Sequence, residues 1–131
     1  MARSSEGGAG PAIVEAFVTG DAAAMTALLA PDATFHSPVT DYRGRERVGE
    51  VLAALAEVVT EVRLTRVLEG ADGTAGFFSA SVDGRGAEGV LLVVGAAGRP
   101  ASDVTLLVRP LSSLLSGIEQ MKALLGGDRD V

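Results

Sequence analysis

Cysteine and tryptophan are absent from this sequence, and its 131 residues hold only one tyrosine, four phenylalanines and one histidine. Without cysteine there is no disulfide and no thiolate metal site, which permits a reducing, cytoplasmic setting. A single histidine leaves any metal dependent on carboxylates, and no ligand spacing is present, so neither a metal nor another cofactor is expected. Five aromatics give little material for base-stacking platforms or aromatic cages. Basic charge is short as well: eleven Lys and Arg against seventeen Asp and Glu leave a formal net charge of −6. That balance argues against nucleic acid or anionic lipid as the main partner. No apolar run reaches the roughly 18 residues of a membrane-spanning helix. The opening MARSSEGGAGPA lacks the apolar core of a signal peptide. The segment Gly95 to Gly98 precedes a strand and has no GK[ST], so it is not a phosphate loop, and the dinucleotide fingerprint is missing.

What is present is a 47% hydrophobic content drawn mostly from Ala, Val and Leu, enough for the core of one domain. Residues 1–10 are small, polar and Gly-rich and are expected to form a flexible leader; residues 126–131 are expected to form a tail. Between them, 11–125 reads as one domain. Pro11 opens a helix with Ile13, Val14, Phe17 and Val18 on one face, and Gly20 ends it. Asp21 is placed to cap a second helix reaching Leu29. Ala33 to Val39 alternates as a strand, Asp41 to Gly44 signals a loop, and Arg45 to Val59 carries a buried helical stripe. After Thr60 the period changes to 2. Strands are predicted over Glu61–Leu68, Thr74–Val82, Ala87–Val94 and Ala101–Arg109, with Asp83-Gly84-Arg85-Gly86 as a hairpin signal. The run Val90 to Val94 reads as covered on both faces. Pro110 breaks the last strand, and Leu111 to Leu125 reads as a final amphipathic helix.

Two short helices, a strand, a longer helix and a four-strand meander define an α+β order. Within it, Phe17-Val18-Thr19-Gly20-Asp21, Leu28 to Val39 (LLAPDATFHSPV) and Tyr42-Arg43-Gly44-Arg45-Glu46 resemble the nuclear transport factor 2-like superfamily, and more closely its SnoaL-like branch. Val104 to Leu111 (VTLLVRPL) resembles the ending of many such bacterial proteins. The resemblance spans residues 11 to about 125. It implies a cone-shaped, curved antiparallel sheet wrapping the N-terminal helices (a cystatin-like α+β barrel), with a C-terminal helix, a cavity at the wide end and homodimerisation. It does not imply one chemistry, because this fold hosts many. Ketosteroid isomerases of the superfamily carry a general-base Asp where this chain has Ser37. Their oxyanion-hole Tyr would fall at about Val14 and their protonated Asp near Val90, so their usual residues are missing here.

The final strand supplies the first candidate for chemistry. Asp103, Thr105, Leu107 and Arg109 alternate with Val104, Leu106 and Val108. If a dimer partner covers the apolar face, the polar face points into the cavity. Asp103 would then be a desolvated general base, Thr105 would line the pocket, and Arg109 would meet an anionic group or developing oxyanion. Six strand residues span about 20 Å, so Asp103 and Arg109 would bracket a ligand rather than share one of its atoms. His36 is the lone group titrating near neutrality; it is a weaker catalytic candidate, because adjacent strand residues face opposite ways and a His36–Ser37 dyad is sterically disfavoured. With Ser37 toward the cavity, as the resemblance implies, His36 would face the convex side. The comparison with the isomerases also places Phe77, Ser79 and Ser81 inward, and Tyr42 at the rim would donate to a ligand carbonyl. The leading expectation is a cofactor-free isomerase, cyclase or hydratase type of enzyme acting on a small apolar or polyketide-like molecule. The alternatives are a non-catalytic ligand-binding protein and a dimeric interaction scaffold.

Overall fold

A computed structural model describes residues 8–96 and 98–126. Most of the expected leader and tail lie outside the described residues, but α1 (Ala9–Thr19) already begins two residues before Pro11. It buries Ile13, Val14 and Phe17 as its apolar spacing predicts. Asp21 accepts a hydrogen bond from the Ala24 amide at 3.0 Å and caps α2 (Ala22–Ala27). This helix is shorter than expected because Leu29 is already the first residue of β1 (Leu29–His36). Pro31 lies where the pairing of β1 shifts register, between Leu29 and Thr34, so its missing N–H interrupts no regular ladder. The residues read as a loop contain a short strand, β2 (Asp41–Arg43), paired antiparallel to β1. Three residues are too few to show a period, which is why the sequence pattern did not reveal it. Helix α3 (Arg45–Val58) follows with Glu46 in its first turn, where the helix dipole favours a carboxylate.

The meander is built as expected: β3 (Val59–Gly70), β4 (Gly73–Val82), β5 (Arg85–Val94) and β6 (Ala101–Arg109), then α4 (Leu111–Leu124) after a cis Arg109–Pro110 bond. Asp83 (φ 54°) and Gly84 (φ 74°) form the two-residue turn between β4 and β5, where both positions need the left-handed region. The six strands make one curved open sheet in the order β2-β1-β6-β5-β4-β3. Every neighbouring pair is antiparallel except β1 and β6, which run parallel.

The inner face of the sheet packs on the helices. Phe35 of β1, Phe78 of β4, Leu91 and Val93 of β5, and Val104 and Leu106 of β6 are all buried there. Phe17 of α1 meets Phe78 edge-on with ring centroids 4.9 Å apart. The outer face is uncovered. Leu92 is 40% and Leu107 60% exposed, so within one chain the apolar run of β5 is covered on its inner side only. Among the described residues, no helix is long and apolar enough to cross a membrane.

Candidate functional site

Where the curved sheet opens, α4 lies across its inner face and leaves a cavity of about 60 Å³. Phe35 and Tyr42 enter it from β1 and β2, Val51, Leu55 and Val58 from α3, and Leu106 and Val108 from β6. Leu114, Ile118 and Met121 close it from α4. The turn between β1 and β2 forms its lip through Ser37, Pro38 and Val39, the last 46% exposed, so the cavity reaches solvent there. Tyr42 is stacked near Phe35 (centroids 6.3 Å apart, 19° between planes), and the Arg47 guanidinium lies 5.5 Å from its ring centroid.

The two serine hydroxyls in this wall are engaged in structure. Ser37 Oγ donates to the Thr40 carbonyl at 2.7 Å and accepts from the amides of Val39 and Thr40, a local turn motif. Ser113 Oγ donates to the Gly86 carbonyl at 2.8 Å and ties α4 to β5. Among the described residues, no Asp, Glu, His, Lys or Arg lines the cavity. A ligand there would meet hydrocarbon on nearly every side.

The titratable residues gather on the opposite face of the sheet. His36 and Asp41 are paired in register across β1 and β2, and Thr34 of β1 is paired with Asp103 of β6. His36 reaches both carboxylates: Nδ1 is 2.9 Å from Asp41 Oδ1, and Nε2 is 2.9 Å from Asp103 Oδ1. Ser102 Oγ donates to the other Asp103 oxygen at 2.9 Å. The hydrogen bond to Asp103, and after it that to Asp41, raises His36 above its ordinary 6.5. The His36 contact in turn holds the Asp103 carboxyl below its ordinary 3.8, against the opposing effect of partial burial. Among the described residues, no three His, Cys, Asp or Glu side chains are grouped to hold a metal.

The structure therefore divides the candidates between two faces. Ser37 and Tyr42 line the cavity. Asp103, Thr105 and Arg109 do not, which corrects the face expected of β6. Val104 and Leu106, 0% and 2% exposed, point inward instead. The physical reason is the core itself: turning this strand over would place Asp103 and Arg109 among buried hydrocarbon and leave two core side chains in water. Phe77, Ser79 and Ser81 share the outer face, paired with Val90, Glu88 and Gly86 of β5, so their expected inward placement is corrected as well. Arg109 forms an ion pair with Glu88. His36 lies on the outer face, as expected, but in the company of Asp103. The sequence could not show that contact, because it depends on the parallel pairing of β1 with β6.

A curved sheet wrapped around helices, with an apolar cavity under a C-terminal helix, defines the cystatin-like α+β class. Within that class the chain belongs to the family of the SnoaL-like domain, whose model matches residues 12–109. It is similar to an uncharacterised bacterial protein with a cystatin-like fold from Silicibacter pomeroyi (28% identity, TM-score 0.80, covering 86% of this chain and 82% of that one). It is also similar to a steroid delta-isomerase from Pseudomonas aeruginosa (29% identity, TM-score 0.76, covering 85% and 84%). A de novo designed protein with a curved β-sheet shares the fold at 19% identity and TM-score 0.72, over 95% of this chain and 99% of the design. No match is found among curated proteins.

Proposed function

We propose that this protein binds a small apolar molecule in the cavity beneath α4 and holds it without a general base. The observation that carries this reading is the lining: aliphatic and aromatic side chains from β1, β2, α3, β6 and α4, the Ser37 and Ser113 hydroxyls already used in structure, and, among the described residues, no acid or imidazole. Isomerase, cyclase or hydratase chemistry of the proton-transfer kind would need such a group within hydrogen-bond reach of the substrate, and Asp103 is on the other side of the sheet. The resemblance to a steroid delta-isomerase supports an apolar ligand. Size restricts the ligand. Pockets for drug-sized molecules run to about 300–1,000 Å³, so a polyketide-sized ring system enters only if α4 moves outward.

NMR titration with benzene tests the reading, because an apolar cavity of about 150 Å³ is known to take that probe, and the open lip here lets a ring project. Shifts confined to cavity residues are expected, and Val108→Phe should abolish them while leaving the protein folded. Benzene shifts scattered over the surface, or unchanged in Val108→Phe, would overturn it. Neither the wild type nor Asp103→Asn should turn over a steroid-like or polyketide-like substrate; turnover by the wild type that Asp103→Asn abolishes would restore an enzymatic reading.

A homodimer belongs to the same reading. Val90, Leu92 and Leu107 adjoin one another on the outer sheet face, with Glu88 and Arg109 at their border. Contiguous apolar surface rimmed by charge marks an association surface. Leu107→Glu should convert a dimer to a monomer in analytical ultracentrifugation, and a wild-type monomer at high concentration would exclude the dimer.

A further inference from the structure

Both ring nitrogens of His36 face a carboxylate oxygen at hydrogen-bond distance. A carboxylate only accepts, and a neutral imidazole has one N–H and one lone pair. The two contacts are satisfied together only by imidazolium, which donates from both nitrogens. A neutral ring keeps one of them and turns its lone pair toward the other carboxylate. The cluster is thus a proton-dependent tie across β2, β1 and β6.

The tie sits at the root of the cavity's lip. His36 and Asp41 are opposite one another in register and bracket the turn over residues 37–40. Three residues of that turn, and Tyr42 just past it, line the cavity on the inner side. The hydrogen bonds that Ser37 makes to Val39 and Thr40 give the turn a fixed internal shape, so it moves about its two ends rather than deforming. Of the two carboxylates, Asp41 is the more exposed, 57% against 41%, and Asp103 is fastened further by Ser102. A neutral His36 therefore keeps Asp103 and releases Asp41. Among the described residues, the other charged side chain beside the cluster is Arg43 of β2, opposite Thr34; Thr105, opposite His36 on β6, carries no charge.

We propose that His36 is a latch on the cavity: as imidazolium it holds the β1–β2 turn against the mouth, and on losing its proton it frees the Asp41 end and loosens the grip on the ligand. The latch rests on the reading of the cavity as a ligand site, and it adds a control that acts from the opposite face of the sheet.

The test is the affinity for benzene at about pH 5.5 and about pH 8.5, on either side of the ordinary histidine value, for the wild type and His36→Gln. The wild type should bind about two- to five-fold more weakly at the higher pH, the range of one exposed ion pair. His36→Gln should bind at the weaker level at both. A pH-independent wild type, or a variant that keeps the full pH dependence, overturns the latch. A second readout needs no ligand: backbone ¹⁵N order parameters over residues 38–40 should fall with rising pH in the wild type and stay constant in His36→Gln. A turn equally rigid at both values overturns the latch whether or not benzene binds. Absence of benzene binding with a pH-sensitive turn overturns the cavity reading alone. Light scattering at each pH separates these effects from dissociation of an assembly, and a change of mass without a change in the turn also overturns the latch.

Discussion

His36 and Asp103 lie 67 residues apart in sequence and 2.9 Å apart in space. The contact joins the first long strand to the last, on the face of the sheet away from the cavity. It is the point at which the titration of a surface cluster meets the geometry of a buried one.

Asp103→Asn removes the larger of the two influences that raise His36. The His36 titration midpoint, followed by imidazole NMR, should fall toward 6.5, with Asp41 still holding part of the rise. An unchanged midpoint would show that Asp103 does not pair with the ring.

The same pair gives a pH profile of stability with a definite sign. His36 is raised on folding, so its contribution is complete below about 6.5 and is lost as pH rises through its higher folded value. Asp103 is lowered, so its contribution is complete above about 3.8 and is lost as pH falls through its lower folded value. The stability difference between wild type and His36→Gln in urea denaturation should therefore be largest between about pH 4 and 6.5. Both side chains are more than a third exposed, so that difference should stay near 1 kcal/mol or below. A difference that grows toward alkaline pH would contradict the pairing.

Leu91 is wholly buried at the centre of the sheet's inner face. Leu91→Ala should cost about 2–5 kcal/mol in the same denaturation experiment, because the rigid strands around it cannot close the space. A loss below about 1 kcal/mol would mean that the sheet relaxes into the gap.

Two glycines of β5 predict opposite outcomes. A Cβ on Gly89 would lie 2.1 Å from the Leu107 carbonyl oxygen and 2.9 Å from Phe78 Cζ, whereas one on Gly86 would meet nothing within 4 Å. Gly89→Ala should destabilise by about 1–3 kcal/mol or more, since backbone must shift. Gly86→Ala should stay within about 0.5 kcal/mol. Thermal unfolding of the two variants side by side checks the contrast.

Much of the fold was legible in the chain because its elements have strong periods: the stripe Val48, Val51, Leu52, Leu55, Val58 of α3, and the alternation of β4 and β6. Alternation shows that a strand has two faces and not which of them is buried. For β6 the choice made from the sequence, polar side inward, follows from supposing that a cavity needs a carboxylate and that a partner covers the apolar side. The demand of the core decides otherwise, through Val104 and Leu106. The inward side of Ser37 came from the resemblance and the rim position of Tyr42 from its place after the first strand, and both line the cavity; the contacts of His36 had no such signal. His36 and Asp103 are partners only through a parallel pairing, and Asp41 only through a strand of three residues.

The parallel union of β1 with β6 also sets the order in which this protein is completed. The hairpins β3–β4 and β4–β5 close over short stretches of chain, whereas β1 must wait for a strand that emerges after β3, β4 and β5. A growing chain that has made β5 holds the β1–β2 turn and most of the hydrophobic residues, yet it lacks Asp103, Leu106 and all of α4. The cavity, and with it the latch proposed above, is therefore completed after the meander, and binding of the proposed ligand would report a completed fold rather than a partly made one.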